Sequence, residues 1–412
     1  MTAAILFWII IGILVIEFIL DQVLDQLNTS YFNKPIPDSL VDVYEKEEYH
    51  KSQAYKKEKQ RFSFWTGLFM FALTLSFIFL DGFAYVDEIA RSWFENEILR
   101  GLGFFGILFF ASSILGIPFS YYNTFVIEEK YGFNKTTQLT FFTDILKSWL
   151  LGIILGGGIL ALLMWFFQMA QSDFWWYAWA LVAFFSLFMN MFYAKLIVPL
   201  FNKQKPLEEG SLRDKIEDYA KKVGFELQNI YVIDGSKRST KANAYFSGFG
   251  KEKRITLYDT LVEDLSEDEV VAVLAHEVGH YKKKHIVFNL LVSLLSTGLT
   301  FWIFSLLVEE PMLAEALGAS ENSFYLSLVA FGLLYSPIST ITGLLMNIVS
   351  RKFEYQADNF AKNTYKAKYL ISSLKKLSSK SLSNLTPHPA YVVFNYSHPP
   401  LQKRVENLNL KS

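Results

Sequence analysis

No cysteine occurs among the 412 residues. That absence excludes disulfides, thiolate metal sites and a cysteine nucleophile, and it identifies no compartment. Charge is scarce too. Only 19% of residues are Asp, Glu, Lys or Arg, against about a quarter in an ordinary soluble chain. The formal net charge of −1 leaves no basic surplus to neutralise phosphates, so nucleic acid is excluded as the main partner. No Lys or Arg precedes the apolar run that follows Ala4. A cleaved signal peptide needs a basic start and a small-residue cleavage site, so the expectation is a first membrane span that is retained.

What is abundant is apolar surface. The chain is 52% hydrophobic and 17% aromatic, gathered in long blocks between polar stretches, as in a multi-span membrane protein. Seven blocks are long enough to cross about 30 Å of hydrocarbon as helices: Ala3–Leu20, Phe64–Leu80, Leu102–Tyr121, Ile145–Met169, Phe174–Leu200, Ile286–Val308 and Phe324–Val349. Lys147 and Lys195 fall inside the fourth and fifth and are expected to snorkel towards an interface. Pro337 and Gly343 interrupt the seventh and are expected to kink it. Seven Lys/Arg lie between the first two blocks, fifteen between the fifth and sixth, and eleven after the seventh, whereas the opposite side holds Arg91 and Arg100. The positive-inside rule therefore puts the polar regions 201–285 and 350–412 on the cytoplasmic side. The expected organisation is spans one to five over residues 1–200, a soluble region 201–285, spans six and seven over 286–349, and a helical tail over 350–412.

The soluble region begins with a helical pattern over Leu212–Val223. The strand-like runs Asn229–Asp234, Ala244–Phe246 and Arg254–Tyr258 follow, with the turn-prone Gly235–Arg238 between the first two. They predict a small sheet. Ser266 and Glu269 match a capping box ahead of the apolar run Val270–Ala275. That helix carries His276-Glu277-Val278-Gly279-His280, an H-E-x-x-H motif. A spacing of four places both imidazoles on one face of the helix, one turn apart, so both reach a single zinc ion at about 2.0–2.1 Å. Glu277 projects beside them and can take a proton from a water without being a ligand. Zinc needs a third protein ligand, and Glu354 and Asp358, four apart in a helical segment, present two carboxylates on one face. One can bind the metal while the other orients a ligating imidazole; alternatively both are solvated acids paired with Arg351 and Lys352. His285 lies five residues beyond His280, about 140° around a continued helix, which is the wrong face for the same metal.

Seven segments in the same order resemble the type I CAAX prenyl proteases over nearly the whole chain: Thr124–Asn134, Pro199–Lys203, Gly235–Ser239, Asn243–Phe249, His276–His280, Phe353–Asp358 and Ser397–Leu401. The resemblance implies a mainly α fold, a seven-helix transmembrane bundle with a membrane-associated, zincin-like catalytic α+β domain and a water-filled chamber. It implies that Glu354 is the third ligand of one zinc ion, beside His276 and His280, and that Asp358 stands behind the first histidine. In that family the Asp358 position is commonly counted as catalytic; physically an orienting role fits better. Asn243 and Ala244 correspond to an edge strand on which a peptide can be laid by backbone pairing. His398 is placed to donate to a developing oxyanion, and Arg404 to clamp a substrate carboxylate.

Together these readings predict a membrane zinc endopeptidase acting on a peptide or protein substrate, with Glu277 as general base. Removal of the last three residues of prenylated proteins is the activity that the resemblance implies. A general membrane-protein quality-control protease, or a non-enzymatic scaffold stabilised by zinc, are the alternatives. The intact Glu277 counts against the scaffold. The short length suits a bacterial inner membrane rather than the endoplasmic reticulum.

Overall fold

Seven long apolar helices arise from the seven blocks: Ala3–Ser30, Lys46–Phe79, Glu97–Glu128, Gln138–Ala170, Phe174–Phe201, His285–Ser305 and Phe324–Thr364. They are termed spans one to seven. The structure is a computed structural model that describes residues 2–227, 229–248 and 253–410; Phe249, the last residue of one family-like segment, lies outside them. Most spans run beyond the apolar block that predicted them. Span seven is the extreme case, a single helix of 41 residues through Pro337. At 1.5 Å per residue it is about 60 Å long, twice the hydrocarbon thickness. Its second half, expected as a separate segment, is therefore a rigid extension of the membrane helix. Spans three and four each contain a π-helical turn, Asn123–Glu128 and Gly152–Gly157. Lys147 reaches the carbonyl of Leu200 at the end of span five, Nζ to O 2.8 Å, as a snorkelling lysine does.

Buried apolar side chains collect at the two ends of the bundle. Leu6, Ile10, Phe104, Met164, Phe174, Phe304 and Tyr325 form one cluster at the end away from the soluble region, closed by the short helix Gly82–Trp93 and residues 308–319. A second cluster, Leu40, Tyr44, Tyr55, Ile127, Phe133 and Val405, lies where the spans meet the soluble region. Between them little is buried. The apolar window of span six contains no buried residue, and that of span one, the most buried, only 17%. A close-packed bundle buries an inward stripe on every helix, so the middle of this one is not a filled core.

The soluble region holds four strands: β1 (Gln204–Pro206), β2 (Asn229–Ile233), β3 (Ala244–Ser247) and β4 (Arg254–Tyr258). Their order is β1-β2-β4-β3, with β2 and β4 parallel and both outer pairings antiparallel. β1 had no strand pattern of its own, being a three-residue run with a lysine and a proline; pairing with β2 makes it a strand. β3 occupies the sheet's edge, in register Ala244 opposite Leu257. The loop before β3 is pinned to the facing ends of spans three and four and to the connection between them. Arg238 makes a two-pronged pair with Asp144 at 2.8 and 2.9 Å, Lys241 meets Glu128 at 2.8 Å, and Asn134 bridges Ser239. Two family-like segments with no evident chemistry, Thr124–Asn134 and Gly235–Ser239, thus act together to dock the sheet onto the membrane helices.

The motif helix spans Glu267–Lys282 and starts with the expected capping box. Val271, Ala275 and Val278 have no exposed surface, and each such valine contributes about 1.5–3 kcal/mol through burial. Glu269 also ties this helix to Ala367–Lys380, accepting from Lys376 Nζ at 2.8 Å and Ser372 Oγ at 2.6 Å. Burial alone would raise the Glu269 pKa, but the Lys376, Ser372 and Ser266 donors outweigh it and hold it down to about 2. A folded pKa below the unfolded one contributes stability above about pH 4.5, lost as pH falls towards 2. Glu269→Gln is expected to lower stability at pH 7 by about 1–3 kcal/mol. The gap to wild type should narrow between pH 5 and pH 2 in thermal unfolding of the detergent-solubilised protein; a gap independent of pH would contradict the assignment.

Candidate metal centre

The motif helix lies against the extension of span seven, and one residue decides how closely. A Cβ added to Gly279 would stand 3.0 Å from Ala357 Cα, 3.1 Å from Ala357 O and 3.2 Å from Phe360 Cβ. Only a glycine facing a small residue allows this approach without displacement. The approach brings three groups from two distant stretches of chain together. His276 Nε2 and His280 Nε2 are 3.1 Å apart; Glu354 Oε2 is 3.4 Å from the first and Glu354 Oε1 is 3.2 Å from the second. They form a group able to hold a metal ion.

The fit can be tested on this geometry. Ligand atoms around a tetrahedral zinc with arms of 2.0–2.1 Å are about 3.3–3.4 Å apart, close to the three separations observed. Glu354 is only 3% exposed, and its Oε2 is buried with no hydrogen bond among the described residues, Arg404 Nη1 standing 3.3 Å away; a metal ion would complete this partial satisfaction. The site's field also favours added positive charge. Burial and the Arg404 charge depress the His276 pKa, but the Asp358 and Glu354 carboxylates outweigh them and lift it to about 9. The residues fit a metal ion.

Behind the three ligands lies a second layer. His276 Nδ1 is 2.9 Å from Asp358 Oδ1. With Nε2 turned to the metal position, Nδ1 carries the proton and donates it to Asp358, which has no exposed surface. Asp358 in turn accepts from Arg404, Nε to Oδ2 2.9 Å and Nη2 to Oδ1 2.6 Å. The two acids on span seven therefore differ: Glu354 faces the Nε2 atoms of His276 and His280, and Asp358 is bound to His276 Nδ1 and Arg404. Arg351, the alternative partner for them, donates instead to the carbonyl of Val392 at 3.1 Å.

Arg404 differs from its expected setting. It is 9% exposed, with Nη1 3.3 Å from Glu354 Oε2 in addition to its two bonds to Asp358. A substrate clamp needs a free two-pronged face, and this guanidinium has already committed its fork to Asp358. His398 is different: its side chain is 63% exposed, with Nε2 3.3 Å from Glu354 Oε1, so it combines proximity to the ligands with an open side. Glu277 is half-buried on the motif helix and close enough to interact electrostatically with Arg404. Just before β3, the carbonyl of Asn243 accepts from Tyr258 N at 3.0 Å. By the alternation of a strand, the carbonyl of Ala244 then faces away from the sheet, and Asn243 Oδ1 accepts the Ala244 N–H at 2.8 Å.

One residue escaped sequence reasoning. Extending the motif helix five residues past His280 puts His285 off the site. The helix ends first: Lys284 adopts φ 59° and His285 opens the next helix. Its Nδ1 comes back to 3.0 Å from His280 Nδ1. Three consecutive lysines, Lys282, Lys283 and Lys284, before a new apolar run were the available signal of that break.

A cavity of about 980 Å³ lies among Met70, Phe77, Phe105, Phe109, Gly152 and Gly156. It contains none of the metal-centre residues and is lined by apolar groups, so the chemistry is elsewhere.

Comparison with known proteins agrees with the fold and with the presence of a metal. Residues 26–203 match the CAAX prenyl protease N-terminal family with five membrane helices, and residues 206–411 match peptidase family M48. The chain is 37% identical to a CAAX prenyl protease 1 homolog of Arabidopsis thaliana over 97% of its own length and 96% of the relative's. It is 36% identical to CAAX prenyl protease 1 of Saccharomyces cerevisiae over 92% and 89% of the two lengths. The crystal structure of S. mikatae Ste24p superposes with a TM-score of 0.94 at 34% identity, covering 98% of this chain and 99% of that one. A helical membrane bundle carrying a buried His-His-Glu group, matched to these relatives along its length, belongs to peptidase family M48 as a multi-pass membrane metalloprotease.

Proposed function

We propose that the metal is a single zinc ion, held by His276, His280 and Glu354, and that the enzyme hydrolyses prenylated proteins near their C-termini from the cytoplasmic side. The observation that carries the metal assignment is the triangle of ligand atoms with edges of 3.1, 3.2 and 3.4 Å. Two imidazoles and one carboxylate, with a fourth position open, form the donor set of a catalytic rather than a structural zinc site. When bound, such an ion supplies a Lewis acid that polarises the scissile carbonyl and lowers the pKa of water. Glu277 takes the proton from the attacking water and passes it to the leaving amine. His398 donates to the oxyanion as charge develops. Asp358, held by Arg404, keeps His276 in the tautomer whose Nε2 is free for the metal. The outer edge of β3 pairs with the substrate backbone through the outward carbonyl of Ala244, with the Asn243 side chain beside it, giving affinity that depends little on sequence.

The cytoplasmic orientation is supported by the fifteen Lys/Arg between spans five and six and the eleven after span seven. Both regions flank the metal centre. The prenylated substrate is supported by the names that the relatives bear, CAAX prenyl protease 1 and its homologs. Length lends no weight to a bacterial inner membrane, because the Arabidopsis relative is covered over 96% of its own length.

Glu277→Gln is expected to retain metal, measured by elemental analysis, while kcat for peptide cleavage falls by about 10²–10⁴. Full activity in that variant eliminates it as the base. Chelation should abolish cleavage and added zinc should restore it; activity that survives complete metal removal contradicts a metal-dependent reaction. A farnesylated peptide should be cut faster than its unmodified twin, with Glu277→Gln as the blank. Equal rates would favour a quality-control role.

A further inference from the structure

The two imidazoles of the centre are backed in different ways. His276 is oriented by a carboxylate and an arginine, whereas His280 has no charged group behind its Nδ1 among the described residues. Instead His280 Nδ1 faces His285 Nδ1 at 3.0 Å, and His285 Nε2 faces Gln356 Oε1 at 2.9 Å. His285 is 3% exposed. Its ring is stacked on Phe353, with centroids 4.0 Å apart and planes 9° from parallel, so it cannot turn away without breaking that contact.

We infer that His285 and Gln356 are positioning residues for His280, a neutral relay that sets its tautomer and ring angle. The relay presupposes that His276, His280 and Glu354 form a metal site. Once His280 Nε2 offers its lone pair to the metal, the ring proton must sit on Nδ1. The only arrangement that satisfies both short contacts has His280 Nδ1–H donating to an unprotonated His285 Nδ1, and His285 Nε2–H donating to Gln356 Oε1. Each member then has one role, and Gln356 determines which nitrogen of His285 carries its proton. The relay is drawn from both stretches of chain that build the site: His285 from the start of span six, and Gln356 from span seven, two residues after Glu354. It therefore holds His280 on one side and the ligand-bearing helix on the other. The physical reason for a relay is general. A ligating histidine whose outer nitrogen lacks a partner loses its orientation, and loss of such partners typically weakens metal binding by about 10–100-fold.

The experiment uses the full chain in detergent, with zinc as probe and a chelating indicator as competitor. Variants are His285→Phe, which keeps the stack on Phe353 but removes both nitrogens, Gln356→Ala, and the two combined. Gln356 is exposed, so its loss leaves the packing intact. His285→Phe should weaken zinc binding about 10–100-fold, and Gln356→Ala several-fold. Because Gln356 acts only through His285, its loss should add nothing in the His285→Phe background, a non-additivity that independent structural damage does not produce. Gln356→Glu, which still accepts from His285, should restore the affinity lost in Gln356→Ala. Zinc affinity within threefold of wild type in His285→Phe, or equal losses from Gln356→Ala in both backgrounds, overturns the relay. Should His285→Phe fail to fold, the Ala and Glu variants of Gln356 decide the matter: equal affinities in both and in wild type overturn it. A wild-type protein that binds no zinc refutes the metal reading itself, which is a separate failure.

Discussion

Everything in this molecule that concerns chemistry depends on how closely one soluble helix can approach the extension of one membrane helix. The contact is made at Gly279 against Ala357, where a single added methyl group would stand 3.0–3.2 Å from its neighbours. Those residues lie between the two histidines on one side and between Glu354 and Asp358 on the other. A shift of a few tenths of an ångström there acts on ligand distances that are themselves only 3.1–3.4 Å. Packed helices resist such shifts because their interiors are dense and deform little. Span seven adds to that stiffness, since the metal-facing carboxylate rides on the same uninterrupted helix that crosses the membrane.

Around that contact the protein buries an unusual amount of charge. Glu354 is 3% exposed, Asp358 not at all and Arg404 9%. Removing charged groups from water is expensive unless they are paired and hydrogen-bonded. The two-pronged bond between Arg404 and Asp358 supplies that pairing away from the metal. Glu354 has Arg404 Nη1 3.3 Å from its Oε2 but no hydrogen bond to that oxygen among the described residues, so its burial is offset only in part. Incomplete pairing at Glu354, against the two-pronged pairing at Asp358, sets apart two acids four residues apart on one helix.

The centre lies at the end of the bundle where the soluble region joins it, and the spans bury little between their two ends. Apolar clusters close both ends, and the middle of the spans contributes almost nothing to them. The sheet is held to the same end through Arg238 on Asp144 and Lys241 on Glu128. The edge strand β3 is thereby fixed relative to the membrane helices as well as to the motif helix.

Periodicity and composition alone determined the seven spans, the capping box, the motif helix and three of the four strands. Each of these depends on local order, such as an apolar block, a Ser–Glu spacing or a β-rich run, and local order survives in the one-dimensional chain. The placing of His276 and His280 side by side was legible for the same reason, since a spacing of four defines a face. Tertiary structure alone decided the rest. It made β1 a strand by pairing it, and it turned the fork of Arg404 inwards onto Asp358. It brought His285 back to His280 after a left-handed residue at Lys284, where an extended helix would have carried it away. It also merged span seven and the acidic segment into one rod. These outcomes depend on contacts between residues far apart in the chain, and a helix period carries no information about where the helix stops or what will pack against it.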